Sequence, residues 1–77
     1  MTMQFNEKNE YQVFEIEKGS LAQSLGFKKG DVILEINGKS VEKLRADDGK
    51  LADELSDVKS MIVERDGEIG FVETGYE

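Results

Sequence analysis

Apolar residues along this chain come in short clusters, and the spacing within each cluster predicts a small set of elements. Met3 to Phe5 and Tyr11 to Ile16 are two apolar pieces separated by the polar Asn6-Glu7-Lys8-Asn9-Glu10, which predicts two strands joined by a turn. In the second piece Phe14 and Ile16 share one face while Glu15 and Glu17 point the other way, the period-2 pattern of a half-buried strand. Val13 breaks that alternation and is expected where both faces are covered. Gly19 then ends the strand, and Ser20-Leu21-Ala22-Gln23 has the spacing of a capping box, in which the Ser20 hydroxyl accepts from the Gln23 amide and the Gln23 side chain reaches back. Leu21, Ala22 and Leu25 fall on one face of a short helix that Gly26 is placed to end. The turn Lys28-Lys29-Gly30-Asp31 leads into Val32-Ile33-Leu34-Glu35-Ile36, a branched and almost wholly apolar run that predicts a strand covered on both faces. Asn37-Gly38 favours a tight turn with positive φ, and Lys39-Ser40-Val41 reads as a short returning strand.

From Val41 to Val58 the pattern turns helical. Leu51, Leu55 and Val58 recur at four and three residues with Ala52 beside them, so one stripe can face a core. Asp47 or Asp48 is placed to cap this helix, and Gly49 weakens it. The chain closes with Met61-Ile62-Val63-Glu64-Arg65, the pair Asp66-Gly67, and Glu68-Ile69-Gly70-Phe71-Val72-Glu73, two segments around a hairpin turn. The predicted order is strand, strand, short helix, strand, short strand, longer helix, strand, strand. No linker or repeat interrupts it, so residues 1–77 read as one α+β domain.

Composition narrows the chemistry. At 77 residues the chain is near the lower limit for burying a core without staples, and it has no cysteine to supply one. It also lacks histidine, which removes the usual general base and the commonest metal ligand. The formal net charge is −7, and no basic stripe offers itself to phosphates, so neither nucleic acid nor an anionic membrane surface is an expected partner. No apolar run has the length of a membrane span, and the first five residues lack the charged and apolar regions of a signal peptide; any targeting part of an exported parent is expected outside this chain. Asp47, Asp48, Asp53, Glu54 and Asp57 form an acidic cluster without calcium-loop spacing, and a solvated helix face accounts for it. Ser20, Ser24, Ser40, Ser56 and Ser60 have no histidine to activate them, so capping and surface roles account for these. Catalysis, cofactors and metals are not expected.

The segment Gly19-Ser20-Leu21-Ala22, followed by Leu25-Gly26-Phe27-Lys28-Lys29-Gly30-Asp31-Val32-Ile33-Leu34-Glu35-Ile36-Asn37-Gly38-Lys39-Ser40-Val41, closely resembles the central signature of bacterial PDZ domains, and Val63-Glu64-Arg65-Asp66-Gly67 is similar to that family's C-terminal hairpin. The resemblance implies a small, partly open β-barrel or sandwich of five to six strands with two helices. It also implies a non-catalytic module whose partner, a peptide or a protein, adds as an extra strand in a groove between a strand and the longer helix. Carried onto this chain, the strand is Tyr11 to Ile16 and the helix Lys50 to Val58, with Tyr11, Gln12, Val13, Phe14, Leu51 and Leu55 as groove residues. Leu51 and Leu55 have an equally good reading as core residues that bind the helix to the sheet. The strand edge is also open to self-association as a homodimer.

The chain departs from the family at residues 6–10. No glycine-containing carboxylate loop is present, and Glu7 and Glu10 stand where a peptide's terminal carboxylate would sit, so like charges oppose it. The compact N-terminal hairpin and short helix resemble the periplasmic PDZ domain of the type II secretion C-protein, which implies a scaffold role in a secretion assembly. PDZ domains of periplasmic or membrane proteases are the other implied source, and there the domain would regulate a catalytic domain elsewhere.

Overall fold

The strand registers decide which side chains meet. The computed structural model describes residues 1–47 and 49–73. Its elements are β1 (Thr2–Phe5), β2 (Tyr11–Glu15), α1 (Leu21–Ser24), β3 (Val32–Ile36), β4 (Lys39–Ser40), α2 (Val41–Ala46), α3 (Lys50–Leu55), β5 (Ser60–Arg65) and β6 (Glu68–Glu73). The strands form one antiparallel sheet in the order β1-β2-β3-β5-β6, with β4 paired to β3. The fold is therefore α+β with an open sheet, as the sequence predicts.

One face of the sheet carries the core. Tyr11 lies opposite Ile33, Ile33 opposite Val63, and Ile36 opposite Met61, and all of these are buried. Val13 joins them from β2, and Phe27, Val41 and Leu44 pack on from the connections and from α2. The buried face of β2 thus belongs to Tyr11 and Val13, one residue out of step with the Phe14 and Ile16 expected there; those two are half-buried. The reason is a clamp on Val13, whose N–H donates to the Asp31 carbonyl and whose carbonyl accepts from the Gly30 N–H, both at 2.8 Å. A register shifted by one residue would turn every side chain of β2 to the other face. In β3 a bulge at Leu34, between Ile33 and Glu35, lets Ile33 and Ile36 point to the same side although three residues separate them.

The helical region also differs from the expected single helix. Gly49 has φ of +80° and divides it into α2 and α3, so the described residues form three short helices where two were expected. Of the two acidic cap candidates, Asp47 ends α2 instead, and Asp48 lies outside the described residues; Gly49 stands at the N-cap of α3. Ser40 does that work one helix earlier, accepting from the Lys43 N–H at 3.2 Å. The α1 cap forms as predicted: Ser20 Oγ accepts from the Gln23 N–H, and Gln23 Oε1 accepts from the Gly19 N–H at 2.7 Å.

Two polar anchors fix the connections. The side chain of Asp31, almost wholly buried, accepts from the Lys28 N–H at 2.9 Å and takes a fork of two bonds from Arg65, Nε to Oδ1 and Nη2 to Oδ2, each 2.7 Å. Arg65 Nη2 also donates to the Gly26 carbonyl. Asn37, at φ of +53°, donates to the Glu54 carboxylate and the Asp57 carbonyl, and its Oδ1 accepts from the N–H groups of Lys59 and Ser60. The tight Asn-Gly turn therefore ties the end of α3 to the start of β5.

Arg65's hydrogen bonds hold the Asp31 carboxyl below its ordinary value. A carboxyl with a depressed folded pKa contributes stability that is complete above the unfolded value of about 3.9 and is lost as pH falls through the folded one. Urea unfolding measured from neutral pH downwards should show Asp31→Asn less stable by about 2 kcal/mol at pH 7, with the gap to the parent narrowing on acidification below about pH 4. Asn37→Gly keeps the left-handed backbone but loses the amide, so it should cost about 2 kcal/mol in the same measurement, and a neutral result would show that the turn needs only the backbone conformation.

Candidate functional site

Strand order decides where an extended partner can dock, because only an edge strand has free backbone groups on one side. The strand expected to offer its edge, Tyr11 to Ile16, is an interior one. Tyr11 pairs with Phe5 on one side and Ile33 on the other, and Gln12 with Gln4 and Val32. The edge expected there for self-association is engaged on both sides at Tyr11 and Gln12, and Val13 bonds to Gly30 and Asp31. Among the described residues, the two-residue β4 aside, the unpaired edges of the sheet are the outer sides of β1 and β6.

Between α2 and the sheet lies a cleft of about 550 Å³ that β1 enters through Phe5, its other walls including Tyr11, Val32, Val41, Glu42 and Arg45. Its floor is aromatic. The rings of Phe5 and Tyr11 lie 4.8 Å apart, tilted by 39°, and the Arg45 guanidinium sits 4.1 Å from the Phe5 ring centroid. A cation at that distance over a ring face is attracted by its quadrupole. Arg45 Nη1 also donates to Asn9 Oδ1 at 3.4 Å, which links α2 to the hairpin loop. Burial raises the Tyr11 phenol above its ordinary pKa, so it stays neutral and available as a hydrogen-bond donor or acceptor.

The loop at residues 6–10 is closed on itself. Asn6 Oδ1 accepts from the N–H groups of Lys8 and Glu10, the Asn6 N–H donates to the Glu10 carbonyl, and the Asn9 N–H donates to the Asn6 carbonyl. Four of its five backbone donors are thus engaged internally. The Asn6 amide adds bonds to the side chains of Glu10 and Gln12. Such a loop has no cluster of N–H groups to offer a carboxylate.

The sequence-predicted residues divide between this cleft and the core. Tyr11 lines the cleft, and Val13 is enclosed in the core. Gln12 Nε2 donates to the Gly30 carbonyl at 3.1 Å, so its amide braces β2 against the turn before β3. Phe14 is half-buried. Leu51 and Leu55 pack against the core, and the helix beside the cleft is α2, not α3. Phe5, Val41, Glu42 and Arg45 went unnoticed in the sequence. The available clue was local, since Val41 and Arg45 are four apart and share one helix face next to the Ser40 cap.

The polar candidates have structural roles. Glu54 is paired with Lys39 and bonded by Asn37, and these hydrogen bonds hold its carboxyl below the ordinary value. Ser20 and Ser40 cap helices, and the hydroxyls of Ser24 and Ser56 donate to the Leu21 and Asp53 carbonyls. Among the described residues no group of three or more carboxylates is placed to hold a metal ion, and no helix is long and apolar enough to cross a membrane.

Residues 12–65, from β2 to the end of β5, match the model of the PDZ domain family, which is more than half of the chain. No curated protein matches it.

Proposed function

The chain belongs to the PDZ domain family, and on that premise we propose that it is a non-catalytic module that takes up an extended internal segment of a protein partner along the outer edge of β1. The observation that carries this reading is the coincidence of a free strand edge with an aromatic cleft. A segment paired to Thr2–Phe5 would set alternate side chains beside Phe5 at the mouth of this cleft, with α2 as the opposite wall. Backbone pairing supplies affinity in this mode, and the cleft supplies selectivity for an apolar anchor. At the C-terminal end of β1 the loop at residues 6–10 has its donors engaged and carries Glu7 and Glu10, so a chain end reaching it would meet like charge and no free N–H cluster, which favours an internal segment.

The same closed loop favours a second reading: a scaffold domain of a bacterial secretion assembly that contacts a folded partner, on the periplasmic side of the membrane. The resemblance of the N-terminal hairpin to the type II secretion C-protein supports it. A regulatory PDZ domain beside a protease would use the same edge.

A titration of the isotopically labelled domain with extended peptides, each as free acid and as amide, tests the main reading. Amide resonances of Thr2–Phe5 and Val41–Arg45 should shift, and equally for both forms of each peptide. Shifts that require the free carboxylate would overturn the internal-segment reading. Shifts confined to Lys50–Leu55 would move the groove to α3.

A further inference from the structure

The opposite edge of the sheet is built differently. β5 and β6 pair over six positions, from Ser60 opposite Glu73 to Arg65 opposite Glu68, without a bulge. They are joined by Asp66 and Gly67, with φ of +52° and +84°, a two-residue turn of the type that matches the twist of a hairpin. In such a hairpin the residues flanking the turn, Arg65 and Glu68, exchange hydrogen bonds, and bonded and non-bonded pairs then alternate. The backbone groups of Gly70 and Val72 therefore point inward to β5. Those of Ile69, Phe71 and Glu73 point outward. The Asn37 N–H donating to the Ser60 carbonyl confirms this phase, because it shows Ser60 facing β3 rather than its β6 mate Glu73.

Sheet edges are ordinarily protected by lysine, proline, a bulge or a covering segment. β6 has neither lysine nor proline and no bulge, its two charges, Glu68 and Glu73, stand at its ends, and no described residue pairs with its outer side. It also exposes two large apolar side chains, Ile69 at 68% and Phe71 at 62%, on one face. Ile62, half-buried, lies directly across from Phe71.

The edge is self-complementary. We propose that β6 pairs antiparallel with β6 of a second copy of this chain, about a twofold axis through Gly70. In that register Ile69 of each copy opposes Phe71 of the other, and both outward-pointing residues of each such pair are free to exchange hydrogen bonds. Glu68 faces Val72, and Glu73 faces Gly67, so no like charges are directly opposed. Shifting the register by two residues would instead set Glu73 against Ile69. Gly70 meets its own copy as a close, non-bonded pair, the point where a missing side chain lets two strands approach. The pairing uses the edge remote from β1, so its success or failure is independent of the binding reading above. Each copy carries −7, so salt should strengthen the dimer by screening their repulsion.

The chain has no cysteine, which makes a crosslinking test clean. A Cβ at Gly70 would meet only Val63 Cγ2 at 3.9 Å, an ordinary contact, so Gly70→Cys should fold. Under mild oxidation at high salt it should form disulfide dimers at least about tenfold faster than Glu73→Cys, whose sulfurs would lie about 20 Å apart in this register. Sedimentation of the parent should show a monomer–dimer equilibrium that tightens with salt, and Phe71→Lys should weaken it by about tenfold or more while leaving the unfolding midpoint nearly unchanged. A parent that stays monomeric at about millimolar concentration and high salt, or equal crosslinking of the two cysteine variants, would overturn the proposal. So would shifts of the β6 resonances that appear only on adding a lysine-rich extended peptide, which would assign the edge to a cationic partner.

Discussion

The fork of hydrogen bonds between Asp31 and Arg65 is the constraint on which the other registers depend. Asp31 closes the turn before β3 through the Lys28 N–H, and its backbone carbonyl accepts from Val13. Arg65 is the last residue of β5 and also bonds the Gly26 carbonyl at the end of the first helical turn. One ion pair therefore joins β2, the α1–β3 turn and the C-terminal hairpin. A carboxylate this deeply enclosed would be costly alone. Three donors, two of them on one guanidinium, compensate for its lost hydration. The order of the sheet follows, because a β2 fixed beside β3 leaves β1 no place but the outer side.

That order changes how the domain meets other molecules. An interior β2 cannot accept a strand, and the edges pass to β1 and β6, which differ in character. β1 is four residues long and stands beside a cleft with a cation and two aromatic rings. β6 is six residues long, regular, and carries the exposed Ile69 and Phe71. One edge is suited to selecting a side chain, the other to uniform pairing along a flat strand. The short helices serve the first edge: Ser40 starts α2 where β4 ends, and this sets Arg45 one turn later above Phe5.

What could be read from the sequence was whatever is decided within a few residues. The Ser20–Gln23 cap, the run Val32–Ile36, and the turns at Asn37-Gly38 and Asp66-Gly67 are local agreements between residue type and backbone conformation, and each formed as expected. The buried face of β2 was not legible, because Tyr11 and Val13 owe their orientation to Ile33 and Asp31, about twenty residues away in the chain. The break at Gly49 was half legible: the glycine reads as a weakness in the helical pattern, but its φ of +80° is not written in the spacing. The site was the least legible part. Phe5 and Arg45 are forty residues apart, and neither looks unusual alone. Leu51 and Leu55 have the periodicity of either a groove wall or a core stripe, and the sequence has no means to separate the two.

The placement of the first and last strands at opposite edges of the sheet also has a mechanical consequence. Tension applied through the two ends of the domain would enter at β1 and β6, each secured to the sheet by one ladder of hydrogen bonds, while β2, β3 and β5 are secured on both sides. The outer strands would peel first, and the Asp31–Arg65 pair, lying inside both of them, would keep the central strands in register under moderate load. Joined into a longer chain, such a domain would lengthen in steps from its margins before its core gave way.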